Sequence, residues 1–141
     1  MPALVGAPAE LRPTLHVIGQ CLLNETTASA FLERCHAGAR TRPVRFVLKA
    51  LMADDIDHAR IGWAHLASPR LSLDRRREVG AWLPSLIRAN ARVWGEHPPL
   101  PSSPALEANG CPSLEETAAA VDGALRELIV PGLARLGFVI G

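Results

Sequence analysis

The chain contains no tyrosine, and aromatic side chains make up only 4% of its 141 residues. Chemistry that stores an oxidising equivalent on a tyrosyl radical is therefore excluded within it. Neither charge is in surplus: 15 Lys+Arg stand against 14 Asp+Glu, for a formal net charge of +1. A nucleic-acid partner, which a basic surplus would attract, is not expected. No apolar run approaches the ~18 uncharged residues of a membrane span, so no membrane partner is expected either. Met1 to Leu15 lacks a basic segment followed by an apolar stretch, which reads as a cytoplasmic chain without a secretory leader. The three cysteines, Cys21, Cys35 and Cys111, are odd in number and have no CxxC spacing. That argues against a disulfide framework and against a zinc ribbon. The glycines are isolated, so no phosphate-cradling loop is present, and no Ser–His–Asp arrangement is visible.

What is there is an apolar fraction of 48%, enough for one globular domain and too much for a disordered chain. Residues 1–13 hold three prolines and little periodicity, so an irregular arm is expected there, followed by a single helical domain over 14–141. A first helix is expected from Thr14, as N-cap, to about Ala37, with Gly38 as a left-handed C-cap. A second follows from Pro43 to about Ala67, stopping at Ser68-Pro69. The short link between them makes the two antiparallel neighbours. A third helical pattern covers about Ser72 to Trp94, kinked at Pro84. Glu96 to Pro112, with five prolines, reads as a long crossover loop. Ser113 and Glu116 form a capping box that opens a fourth helix, kinked at Pro131. The fold class predicted is all-α, a four-helix bundle.

The charges on the first two helices carry the functional signal. At about 100° per residue, Leu15, Ile18, Leu22, Glu25, Ser29 and Leu32 share one stripe of the first helix. Val44, Val47, Leu51, Asp55, His58, Gly62 and His65 share one stripe of the second. Two acids and an imidazole on facing apolar stripes are costly unless neutralised or paired. A cation is the natural partner. A carboxylate three residues before a histidine presents oxygen and nitrogen to one point, and that donor set suits iron or manganese. The bland alternative is a buried, hydrogen-bonded acid–histidine cluster.

These residues resemble one half of a ferritin-like carboxylate bundle. Glu25, in Asn24-Glu25-Thr26, is similar to the lone glutamate of that family. Asp55-Ile56-Asp57-His58-Ala59-Arg60 is similar to its Glu-x-x-His-Ala-Arg stretch, with Asp in place of Glu. The stretch Ala124 to Pro131 also looks like the end of bacterial ferritin-like domains. The resemblance implies a ferritin-like bundle binding a di-iron centre, or manganese, with ferroxidase or oxygen-dependent oxidase chemistry if the chain is an enzyme. The later helices carry no second Glu plus Glu-x-x-His: Glu115, Glu116, Asp122 and Glu127 come without a histidine. One chain thus offers three ligands, Glu25, Asp55 and His58, where the family uses six. Either a homodimer or a partner protein supplies the other half, or the chain is a non-enzymatic helical scaffold with a vestigial site.

Asp54, His65 and Glu33 are candidates for orienting the ligands from outside. Glu33 also opens a Glu-x-x-His with His36, but there the helix dipole alone accounts for a histidine near a C-terminus. Cys21 reads as a small apolar side chain. Arg75, Arg76 and Arg77 form a basic cluster that is either a solvated face or a patch for an anionic partner.

Overall fold

The computed structural model describes residues 4–95 and 103–140. Among them every regular element is helical, and the one strand-like contact is an isolated antiparallel bridge between Ala39 and Asn109. The first helix, α1 (Arg12–Val17), begins about one turn earlier than its sequence suggests, with Pro13 in its first turn and Leu11, not Thr14, at the cap. It runs through a π-helical segment, Ile18–Asn24, into α2 (Glu25–Gly38). The expected irregular arm is not a loose one from Leu4 onward. Leu4, Ala7 and Leu11 are buried in the core, and the Arg12 Nε donates to the Ala7 carbonyl at 2.9 Å. Residues 1–3 lie outside the described ones.

α3 (Arg42–Ala67) starts with Pro43 in its first turn and ends at Ser68, as its sequence predicts. It lies antiparallel to α2: Gly62 meets Leu22 and Cys21, and Asp55 and His58, earlier on α3, meet Glu25, later on the partner helix. A Cβ at Gly62 would fall 2.8 Å from the Leu22 backbone nitrogen, so this crossing needs glycine for closeness. Gly38 is not left-handed. The turn that closes this end belongs to Gly110 (φ +82), whose backbone lies directly against Gly38 and Ala39.

The expected third helix is two. α4 (Leu73–Gly80) is capped by Ser72, whose hydroxyl accepts from the Arg75 backbone N–H. α5 (Leu83–Gly95) restarts just ahead of Pro84. Proline has no N–H to give and its ring clashes with the carbonyl one turn back, whereas the first turn of a new helix tolerates it. Of the predicted crossover loop, residues 96–102 lie outside the described ones. The remainder holds a short α6 (Pro104–Ala108). Ser113 and Glu116 form the predicted capping box of α7 (Leu114–Gly123). That helix continues through a second π-helical segment, Ala124–Ile129, into α8 (Val130–Arg135). The wide turn precedes Pro131, which cannot donate to the turn behind it.

The core gathers Leu15, Ile18, Leu22, Leu23, Leu66, Val79, Leu83, Leu86, Ile129 and Leu133, all fully buried, with Phe138. Each such side chain stabilises the fold by roughly 1.5–3 kcal/mol. These residues place the core where α1, the C-terminal end of α3, the α4–α5 junction and α8 meet. The N-terminal half of α3 stands outside it: Phe46 is 76% exposed, Val47 52% and Leu51 47%. The stripe of α3 expected to face inward is therefore corrected. The inward residues are Leu48, Met52, Asp55, Ala59, Gly62 and Leu66, and Val47, Leu51 and His58 lie to one side of them.

Candidate metal centre

Glu25 opens α2 immediately after the π-helical segment. The wider turn changes the face that points inward. Leu15 ahead of it, Ile18, Leu22 and Leu23 within it, and Thr26 and Thr27 just after it are buried. Glu25 is thereby displaced from the middle of the apolar stripe to its edge, where it is half-buried. Thr27 fixes the turn, since its hydroxyl donates to the Leu23 carbonyl at 2.7 Å and lies 3.1 Å from the Asn90 side-chain oxygen on α5.

On α3, Asp55 is half-buried and His58 exposed. One ligand atom of each of Glu25, Asp55 and His58 lies within 4.8 Å of the others. The three residues that the spacing singled out are thus brought to one point, at the rim of the α2–α3 contact. Burial holds the Glu25 carboxyl above its ordinary range, and the charge of Asp55 adds to this. Asn24, whose Nδ2 donates to the Glu25 Oε1 at 3.5 Å, and the nearby His58 oppose it. Burial raises Asp55 as well, with the neighbouring charge of Asp54 adding, while its hydrogen bond with Glu25 and the His58 imidazole pull it back. The two carboxyls and the imidazole lie side by side at a half-buried point, where a cation would offset the repulsion between the two acids.

No family model, curated protein or solved structure matches the chain. The chemistry of the site stands on its own donors: two carboxylates and one imidazole, an oxygen-rich set that fits iron or manganese better than it fits a thiol-seeking metal.

The outlying candidates divide. Asp54 stays with the trio, exposed but close enough to raise Asp55. His65 does not: its Nε2 lies 3.2 Å from the Thr14 hydroxyl on α1, so it ties α3 to the N-terminal helix instead of orienting a ligand. Glu33 is exposed and lines a cavity of about 550 Å³ between α2, α3 and the last helices. That cavity, bordered by Met52, Ile56, Trp63 and Leu128, was missed in the sequence. Small residues, Ala30 and Ala59, are among those that line it, and Gly132 makes room for the Trp63 ring. Of the arginine cluster Arg76 turns inward, while Arg75 and Arg77 pair within their own helix at the surface, as on the solvated face that is one of the two expected readings. Arg76 donates to the carbonyls of Leu71, Leu136 and Ser68 and stacks 5.5 Å over Phe138. Arg75 pairs with Glu78 and Arg77 with Asp74. All three cysteines are free. Cys21 is half-buried beside Gly62, and burial pushes the Cys35 thiol up to about 11, with Cys111 close enough to add to it.

Proposed function

We propose that this chain is a ferritin-like helical protein that holds iron, or manganese in its place, through Glu25, Asp55 and His58. In this reading α1–α2, α3, α4–α5 and α7–α8 are the four helices of the bundle. The segment around α6 is the long crossover before the last of them. The observation that carries it is the convergence of the three donors within 4.8 Å. They come from two elements and sit at the edge of an apolar contact, where a cation would offset the cost of partly burying two carboxylates.

Three donors are half of a di-metal centre, and the remainder come from a second protomer or from a partner protein. Bound iron would supply oxidation by dioxygen, either of iron itself or of a substrate. The chain's own residues contribute the binding: Glu25 and Asp55 would each offer a carboxylate oxygen and His58 a ring nitrogen. A non-enzymatic scaffold is the competing reading, favoured by the exposed Phe46, Val47 and Leu51.

Metal content decides between them. Protein produced in iron- and manganese-supplemented medium is expected to carry metal that Glu25→Ala and His58→Ala variants lose, with unchanged helicity in all three. Equal metal in the wild type and both variants would sink the metal assignment and leave the scaffold.

A further inference from the structure

α3 carries two seams. Leu48, Met52, Asp55, Ala59, Gly62 and Leu66 alternate at spacings of four and three residues, and this seam packs into the protein. Val47, Leu51, Asp54, His58 and Ile61 alternate in the same way, rotated by about 100° from the first. This second seam is exposed throughout: Val47 52%, Leu51 47% and Ile61 58%, with Asp54 and His58 also in the exposed class. A four-three alternation is the pattern by which one helix packs lengthwise against another. Among the described residues no element covers this seam, and His58 of the donor trio lies on it.

We propose that a second copy of this chain packs antiparallel along Val47, Leu51, Asp54, His58 and Ile61, setting Asp54 of each copy against His58 of the other.

The charges choose the arrangement. Parallel pairing would set Asp54 on Asp54 and His58 on His58, like against like. Antiparallel pairing with Leu51 opposite Asp54 would press a carboxylate onto an aliphatic side chain. Setting Asp54 opposite His58 satisfies both at once, and because Leu51 lies three residues before Asp54 and Ile61 three after His58, it also sets Leu51 against Ile61. The match repeats on the other side of the two-fold axis, which is what an isologous interface requires. Asp54 of the second copy then joins Glu25, Asp55 and His58, so each trio gains a fourth protein donor and the two trios share one axis. Asp54's part as a ligand rests on the metal assignment; the seam itself does not.

The test is the mass in solution by light scattering over a concentration series, with and without manganese(II), alongside metal content. A mass of twice the chain's 15.1 kDa, populated at lower concentration when manganese is present, is the expected result. Ile61→Glu should return the protein to a monomer with unchanged helicity, since that side chain is 58% exposed within one copy. A Leu51→Cys, Ile61→Cys double variant, oxidised and digested, should yield the intermolecular 51–61 cross-link. A monomer at every concentration that still takes up metal overturns the pairing and leaves the metal assignment standing. A dimer that binds no metal keeps the seam and removes Asp54 as a ligand. Links of 51 to 51 and 61 to 61 overturn the antiparallel register.

Discussion

The two halves of α3 are made of similar residues and live in opposite surroundings. Toward its C-terminus, Ala59, Gly62 and Leu66 are buried against the π-helical segment and the core. Toward its N-terminus, Phe46, Val47 and Leu51 face outward. Helix continuity carries the first turns of α3 beyond the core, and Asp55 and His58, near its middle, sit at the rim between the two surroundings. The C-terminal turns hold the fold together; the middle and N-terminal turns display chemistry.

The sharpest test of that contrast is a pair of equal truncations. Leu66→Ala opens a hole in the fully buried region and should cost about 2–5 kcal/mol by chemical denaturation. Leu51→Ala in the isolated chain should stay within about 0.5 kcal/mol. Similar losses at both positions would erase the distinction between the halves. Metal should act on the displaying half alone. Manganese(II) at about a hundredfold over its Kd should add roughly 2.7 kcal/mol to the wild type, with no shift in melting temperature for His58→Ala. Gly62→Ala should cost about 1–3 kcal/mol, because its Cβ meets Leu22 backbone and the helices must separate to admit it. If it instead stabilised the protein, the crossing would be looser than the structure has it.

The smallest effect lies away from α3, where α7 is fastened to α2. Arg34 pairs with Glu116, which also closes the Ser113 capping box. Its carboxyl is held below the ordinary range, first by the Ser113 backbone N–H and then by Arg34. A depressed carboxyl adds stability that is present above its unfolded pKa and lost as the pH falls through the folded one. Acid in that window should therefore reduce stability slightly in the wild type and not at all in Glu116→Gln. Ser113→Ala should cost about 1 kcal/mol at neutral pH. A wild type and Glu116→Gln that respond identically to acid would deny the pair any role.

Much of this was readable from residue spacing, for stated reasons. Pro43 and Ser68 bound α3, and Ser113 with Glu116 opens α7, because caps are local and need no knowledge of the fold. The trio was readable because two acids and a histidine fell on apolar stripes of adjacent helices. The inward side of α3 was not. Two seams of the same spacing lie about 100° apart on it, and only tertiary packing chooses between them. The fates of His65 and Arg76 were hidden for the same reason, since both are settled by Thr14 and Leu136, far away in sequence. The π-helical segments left no local signal in composition, although Pro131 marks the place of one.

The first of those segments, Ile18–Asn24, makes the centre dependent on a residue count. A π-helical turn is an α-helix with one residue too many. Rewinding that turn as ordinary α-helix with no residue lost would rotate everything beyond it by about 100°. Leu15 and Ile18 would keep their places in the core, so the protein would still fold at that end, while Glu25 would swing away from Asp55 and His58. The donor set is thus keyed to length as much as to identity. A related chain with one residue fewer between Ile18 and Glu25 would reach the same site through an ordinary helix, whereas one of equal length without the wide turn would have the letters of the site without the site.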